Sequence, residues 1–169
     1  MGLLQENFIR EFCAAWGDGS AESRPQVDKL VSMLAEDAVW QLWVPGGPVI
    51  RGRVALRREI ERQMRYTSHN LCTIRHMLSS DTLVMTERDD YALSSGKPMP
   101  HSMVAVYELD EQGLIKAWRE YLDTADLARK KGVALDQVGG PGLPPRAALS
   151  PCGETHAIVR YARQRCGAH

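Results

Sequence analysis

Along residues 4–16, apolar side chains recur at helical spacing: Leu4, Phe8, Phe12 and Trp16 share a face that Ile9, Cys13 and Ala15 widen. Gly17, Asp18, Gly19 and Ser20 stop that helix. A second is predicted from Pro25, a good first-turn residue, through Val27, Leu30, Val31 and Leu34. Residues 38–44 (AVWQLWV) are β-branched and aromatic and predict a strand, after which Pro45-Gly46-Gly47-Pro48 reads as a loop. Residues 53–65 predict a third helix, heavily charged, with Val54, Leu56, Ile60 and Met64 inward. From residue 70 the period falls to two. Strands are predicted over 71–78, 83–93, 103–109 and 114–122, each separated from the next by a cluster of turn residues. A short helix starts at Thr124 and ends at Gly132.

Four long strands joined by short loops imply an antiparallel meander. Helices gathered at the N-terminal end place the chain in the α+β class: a curved, mixed, largely antiparallel sheet with three N-terminal helices. One helix against the concave side would leave a blind conical pocket. The expected catalytic domain spans residues 1–132. Residues 133–169 hold a Gly/Pro-rich linker (138–153) and a basic segment that reads as one short helix, a tail lying over the domain or a partner.

Composition narrows the function classes. At 169 residues, 44% hydrophobic and 25% charged, the chain can build one real core. Lys plus Arg equals Asp plus Glu at 21 each, so no net field attracts nucleic acid or an anionic membrane. No apolar run approaches a spanning helix, and the acid-bearing N-terminus lacks the apolar stretch of a signal peptide, so a cytoplasmic protein is expected. Cys13, Cys72, Cys152 and Cys166 are scattered, show no metal-ligand spacing and read as reduced thiols; a Cys152–Cys166 bridge is the alternative in the tail.

Two strands interrupt their apolar pattern with charge. In residues 83–93, alternation sets Thr86, Arg88 and Asp90 on one face and Glu87, Asp89 and Tyr91 on the other. In residues 114–122, Trp118, Glu120 and Leu122 share a face, so Glu120 sits between apolar neighbours. An Arg-x-Asp in one strand and a lone carboxylate in another allow an acid–Arg–acid trio across the sheet. Such a trio is an acid/base device: the guanidinium holds both groups, and desolvation can keep one protonated near neutrality.

The stretches TERDDY (86–91) and IKAWREYLD (115–123), with AEDAVWQLWVP (35–45) before them, resemble the limonene-1,2-epoxide hydrolase family. That family has a nuclear-transport-factor-like cone fold related to SnoaL-like polyketide cyclases and ketosteroid isomerases. The resemblance covers about residues 5–131. It implies that Asp90 protonates the epoxide oxygen, that Arg88 bridges the two acids, and that Glu120 stands where the family's water-activating Asp would be, supported by Trp118. It also implies one-step hydrolysis without metal or cofactor, and a homodimer through the open sheet face, where Tyr91, Tyr107 and Tyr121 are candidates. Two family positions that hold the water, a Tyr and an Asn, are Trp40 and Leu42 here. An indole N–H only donates, and leucine does neither. His101, sharing a face with Met103 and Ala105, is a candidate to hold water or substrate, although the preferred reading, after Pro98 and Pro100, is a strand-end histidine near the pocket mouth. His69 and His76 read as surface or sheet residues, and Trp16 and Trp43 as core or interface.

Three functions remain open at this point. One is an epoxide hydrolase acting on a small apolar epoxide. The second is an epoxide-opening cyclase or isomerase, and the third a ligand-binding protein without catalysis.

Overall fold

A computed structural model of the chain describes residues 2–139. Helices α1 (Leu3–Ala14) and α2 (Val27–Ser32) precede strands β1 (Leu34–Gln41) and β2 (Val49–Arg51), and α3 (Arg53–Met64) follows. Then come β3 (Thr67–Ser79), β4 (Leu83–Ser94), the two-residue β5 (Lys97–Pro98), β6 (His101–Leu109), β7 (Ile115–Leu122) and α4 (Thr124–Lys131). The strands form one sheet in the order β2-β1-β7-β6-β4-β3, with β5 paired to β4. The predicted meander is present: β3, β4, β6 and β7 are successive antiparallel neighbours. Strand β1 runs parallel to β7 and gives the sheet its mixed character. The fold is α+β, a curved, open, mostly antiparallel seven-stranded sheet carrying few helices. No helix among the described residues is long and apolar enough to cross a membrane.

Several elements differ from expectation for local reasons. Strand β1 begins at Leu34 rather than 38, because a register irregularity against β7 between Leu34 and Val39 lets Glu36 and Asp37 both stay exposed. Its expected continuation, Leu42 and Trp43, leaves the ladder yet stays buried. Strands β2 and β5 are too short to carry a period. Val54 is 67% exposed, not inward; it lies about 200° from Leu56 around α3, and the buried face is Leu56, Glu59, Ile60 and Arg62. Leu4 is also exposed, and α1 buries Ile9, Phe12 and Cys13 instead.

The core lies between the inner sheet face and the helices. Phe12 meets Trp118 edge-on at 5.2 Å and Tyr107 at 5.9 Å. Helix α4 forms as expected: the Asp123 side chain accepts from Asp126 N at 2.9 Å, and Gly132 ends the helix in the left-handed conformation that glycine adopts without strain. The following residues fold back onto α3 and α4. Val138 is buried against Met99, Leu127 and Ala128, and the Gly139 carbonyl accepts from Arg62 Nη2 at 3.0 Å and Tyr66 OH at 3.2 Å. The rest of the expected tail, with Cys152 and Cys166, lies outside the described residues.

Candidate active site

Register explains how the charged trio comes together. Cross-strand partners share a face, so Cys72–Asp90–His101, Arg88–Met103–Leu122 and Thr86–Ala105–Glu120 form three rows across the inner side of the sheet. Arg88 and Glu120 sit on β4 and β7, strands about 9.6 Å apart with β6 between them. Ala105, fully buried, is the β6 residue beside Glu120, and its methyl group leaves room for the guanidinium to cross. Arg88 Nη2 donates to Glu120 Oε1 at 2.8 Å, and Nε donates to both Asp90 oxygens at 3.0 Å.

The trio is out of water. The side chains of Arg88, Asp90 and Glu120 are 4%, 13% and 9% exposed. Burial pushes the Glu120 carboxyl up to about 7; the neighbouring Asp90 charge adds to this, while Arg88 and the Trp40 N–H oppose it. Burial works against the charge on Arg88, but Tyr107 and Asp90 outweigh it and hold the guanidinium well above its ordinary value.

All eight residues expected at the site line one cavity of about 190 Å³: Trp40, Leu42, Arg88, Asp90, His101, Met103, Trp118 and Glu120. That is room for on the order of a dozen water-sized groups. Parallel in-register pairing of Trp40 with Trp118 stacks their indoles at 4.1 Å and 3°. Both Nε1 atoms are buried without a hydrogen-bond partner; Trp40 lies near enough to Glu120 to draw on its charge but not in bonding geometry. His101 Nδ1 donates to the Met99 carbonyl at 2.9 Å, since a carbonyl can only accept. Asp90 and His101 also line a second, polar groove on the outside, walled by Arg75, Asp89, Ser102, Asp126 and Lys130.

One correction and two additions concern the surroundings. Tyr107 is not on the outer face with Tyr121: it is fully buried, stacks near Trp118 and accepts a hydrogen bond from Arg88 Nη1. The alternation His101, Met103, Ala105 extends to it, so the signal was present in the sequence. Trp16 and Trp43 do pack with the core, but both also line the cavity. Cys13 and Cys72, far apart in sequence, converge beside Arg88, with Cys13 Sγ 3.9 Å from Arg88 Nη1 and from Tyr107 OH. A hydrogen bond from Cys72 draws the Cys13 thiol down to about 7, aided by Arg88 and opposed by burial, and pushes Cys72 well up. Among the described residues no three His, Cys, Asp or Glu side chains gather as a metal-ligand set.

The SnoaL-like domain family model matches residues 9–118, more than half of the chain. Solved structures share the fold at low identity. An LEH-like epoxide hydrolase from M. tuberculosis superposes with a TM-score of 0.63 at 22% identity, covering 75% of this chain and 87% of that one. The epoxide hydrolase/cyclase-like enzyme SalBIII, of pyran ring formation in the polyether salinomycin, gives 0.61 at 19%, covering 73% and 93%. A SnoaL-like polyketide cyclase (so described from sequence) from Shewanella denitrificans OS-217 gives 0.66 at 11%, covering 77% and 98%. A search of curated proteins returns no match. By its family match and its cone-shaped fold, the chain belongs to the SnoaL-like domain family.

Proposed function

We propose that the chain is an epoxide hydrolase: a cofactor-independent enzyme in which one carboxyl of the Arg88-bridged pair protonates the ring oxygen while the other takes a proton from water, giving a vicinal diol. The observation that carries this is Arg88 bonded to both carboxyls inside an aromatic-walled cavity, with Glu120 drawn up to about 7. Acid–base catalysis is most effective when the donor titrates near the working pH. Two carboxyls held in different surroundings can therefore occupy opposite protonation states.

A second reading, an epoxide-opening cyclase or isomerase, is favoured by Trp40 and Leu42, which stand where the resemblance places the Tyr and Asn that hold the water. The likeness of the fold to SalBIII supports it in the same degree as the hydrolase likeness supports the first. Incubation with a panel of apolar cyclic and terpenoid epoxides in oxygen-18 water separates them. Labelled diol is expected; a product of unchanged mass transfers the case to cyclisation, and no turnover of any epoxide by the folded protein removes both. The same reading includes a homodimer through the outer sheet face, where Met85 and Tyr121 stand exposed, checked by light scattering.

A further inference from the structure

We propose that the ring oxygen binds at the Glu120–Trp40 end of the cavity and that Asp90 receives the nucleophile's proton, the reverse of the polarity that the resemblance implies. This rests on the ring-opening reading above and assigns its two ends.

The Glu120 end offers donors and almost nothing else. Trp40 and Trp118 are 3% and 2% exposed, line the cavity, and each keeps an indole N–H with no partner. A buried donor left unmade is costly, so such groups mark the place of an acceptor. Glu120 lies beside them in the row with Ala105, where burial favours the protonated carboxyl, a further donor. The groups facing it are Arg88 and Asp90 from β4, Tyr107 from β6 and Trp40 from β1, while the Cys13 and Cys72 thiols, from α1 and β3, lie against Arg88 and Asp90 instead. An epoxide oxygen accepts hydrogen bonds and gains negative charge as the ring opens, which is what fixed donors stabilise. A nucleophilic water would be badly served there. One indole N–H donating to it would hold one of its two lone pairs, and the two together would leave none free to attack.

The Asp90 end has the opposite character. Both of its oxygens accept from Arg88, and it lies where the cavity meets the polar outer groove. His101 is its cross-strand partner, with Nδ1 tied to Met99 O and Nε2 left as the acceptor. Around that imidazole stand Asp90 from β4 and, in the groove, Asp123, Asp126 and Lys130, with Arg75 and Asp89 beyond. Water can enter and a proton can leave on this side.

The step balances as follows. The epoxide C–O bond breaks and its electron pair stays on oxygen, which takes the Glu120 proton. A water oxygen bonds to the ring carbon, and its surplus proton passes to Asp90. Return of one proton from Asp90 to Glu120, through His101 and solvent, resets the enzyme.

Two measurements test the polarity. With an epoxide that the wild-type protein opens, kcat/KM is expected to fall above pH about 7 as Glu120 loses its proton, and His101→Gln should leave that limb in place. A rate that rises through pH 7 to a plateau overturns the assignment. Trp40→Phe should lower kcat about a hundredfold with KM within about twofold, the effect of losing one donor to a developing oxyanion; an unchanged kcat overturns that role. The second measurement needs no turnover. In a crystal soaked with a branched, medium-chain primary carboxamide, the carbonyl oxygen should lie on Glu120 and Trp40 Nε1 and the amide nitrogen on Asp90. The inverted pose overturns the proposal. If the protein opens no epoxide, the ring-opening reading fails, and the carboxamide pose still reads which end accepts.

Discussion

On the outer face of the sheet Arg119 bonds Glu108 and Arg75 bonds Asp89; on the inner face Arg88 bonds Asp90 and Glu120. Both faces thus join the same kinds of group, the outer pairs across neighbouring strands and the inner set along β4 and over β6 to β7. Asp89 and Glu120 nevertheless move in opposite directions. Asp89 is drawn below its ordinary value by hydrogen bonds from Ser102 and Arg75, with little burial to oppose them. Glu120 has an arginine at 2.8 Å and still rises to about 7, because loss of water outweighs the ion pair. Solvent decides which ion pair is scaffold and which is an acid.

The sharpest way to break that contrast is to remove the inner cation. Arg88→Ala leaves two carboxyls facing each other without water or counter-charge. It should cost about 3–5 kcal/mol of stability in urea unfolding and abolish ring opening. A loss below about 1 kcal/mol, the scale of an exposed pair, would mean that the inner face is wetter than its geometry indicates.

Glu120 gives the second test, through pH. Its folded value, about 7, lies above its usual 4.5, so the folded state binds the proton more tightly than the unfolded chain. That contribution is fully present below about 4.5 and is lost as pH rises through about 7. The loss is on the order of 3 kcal/mol. Denaturant midpoints followed from pH 4.5 to 8 should therefore fall, and Glu120→Gln should flatten that slope. Asp89 works in the other sense: its depressed value makes its contribution appear above the usual carboxylate range and fade as pH falls. Asp89→Asn should leave the neutral-pH slope untouched.

Ala105 sharpens the comparison without touching a charge. Ala105→Leu would fill the gap through which Arg88 reaches Glu120, and overpacking of this kind costs roughly 1–3 kcal/mol. The larger readout is catalytic, about a hundredfold lower kcat/KM from a displaced acid. Val104→Leu, one residue along on the opposite side of β6, serves as the control and should leave the rate within about twofold.

Much of this was legible in the sequence because strands alternate. The residues Thr86, Arg88 and Asp90 had to share a side, as did Trp118 and Glu120, and turn chemistry placed the meander that aligns them. What stayed hidden depends on distances between elements. Nothing local says that Cys13 of α1 meets Cys72 of β3, or that α4 returns to form an outer groove beside Asp90. Tyr107 departs from expectation for another reason: grouped with Tyr91 and Tyr121 it reads as an outer-face residue, whereas counting by two from His101 puts it on the cavity side. Val54 and Leu4 show the limit of apolar identity as evidence of burial, since each lies on the side of its helix turned away from the core.

The smallest expected effect closes the comparison from the outer side. Arg119 Nη1 lies 2.6 Å from Glu108 Oε1, a shorter contact than the inner bonds to Asp90 and Glu120, and distance alone would rank it above both. The two side chains are 22% and 32% exposed, however, and water can replace each partner when the other is removed. Arg119→Ala should therefore cost only about 0.2–1 kcal/mol, shrink further at 1 M salt, where the screening length is about 3 Å, and leave ring opening unchanged. A loss comparable to that of Arg88→Ala would mean that this face is covered, and a second copy of the chain seated over Tyr121 and Met85 would be the first occupant to test, by repeating the measurement across protein concentration.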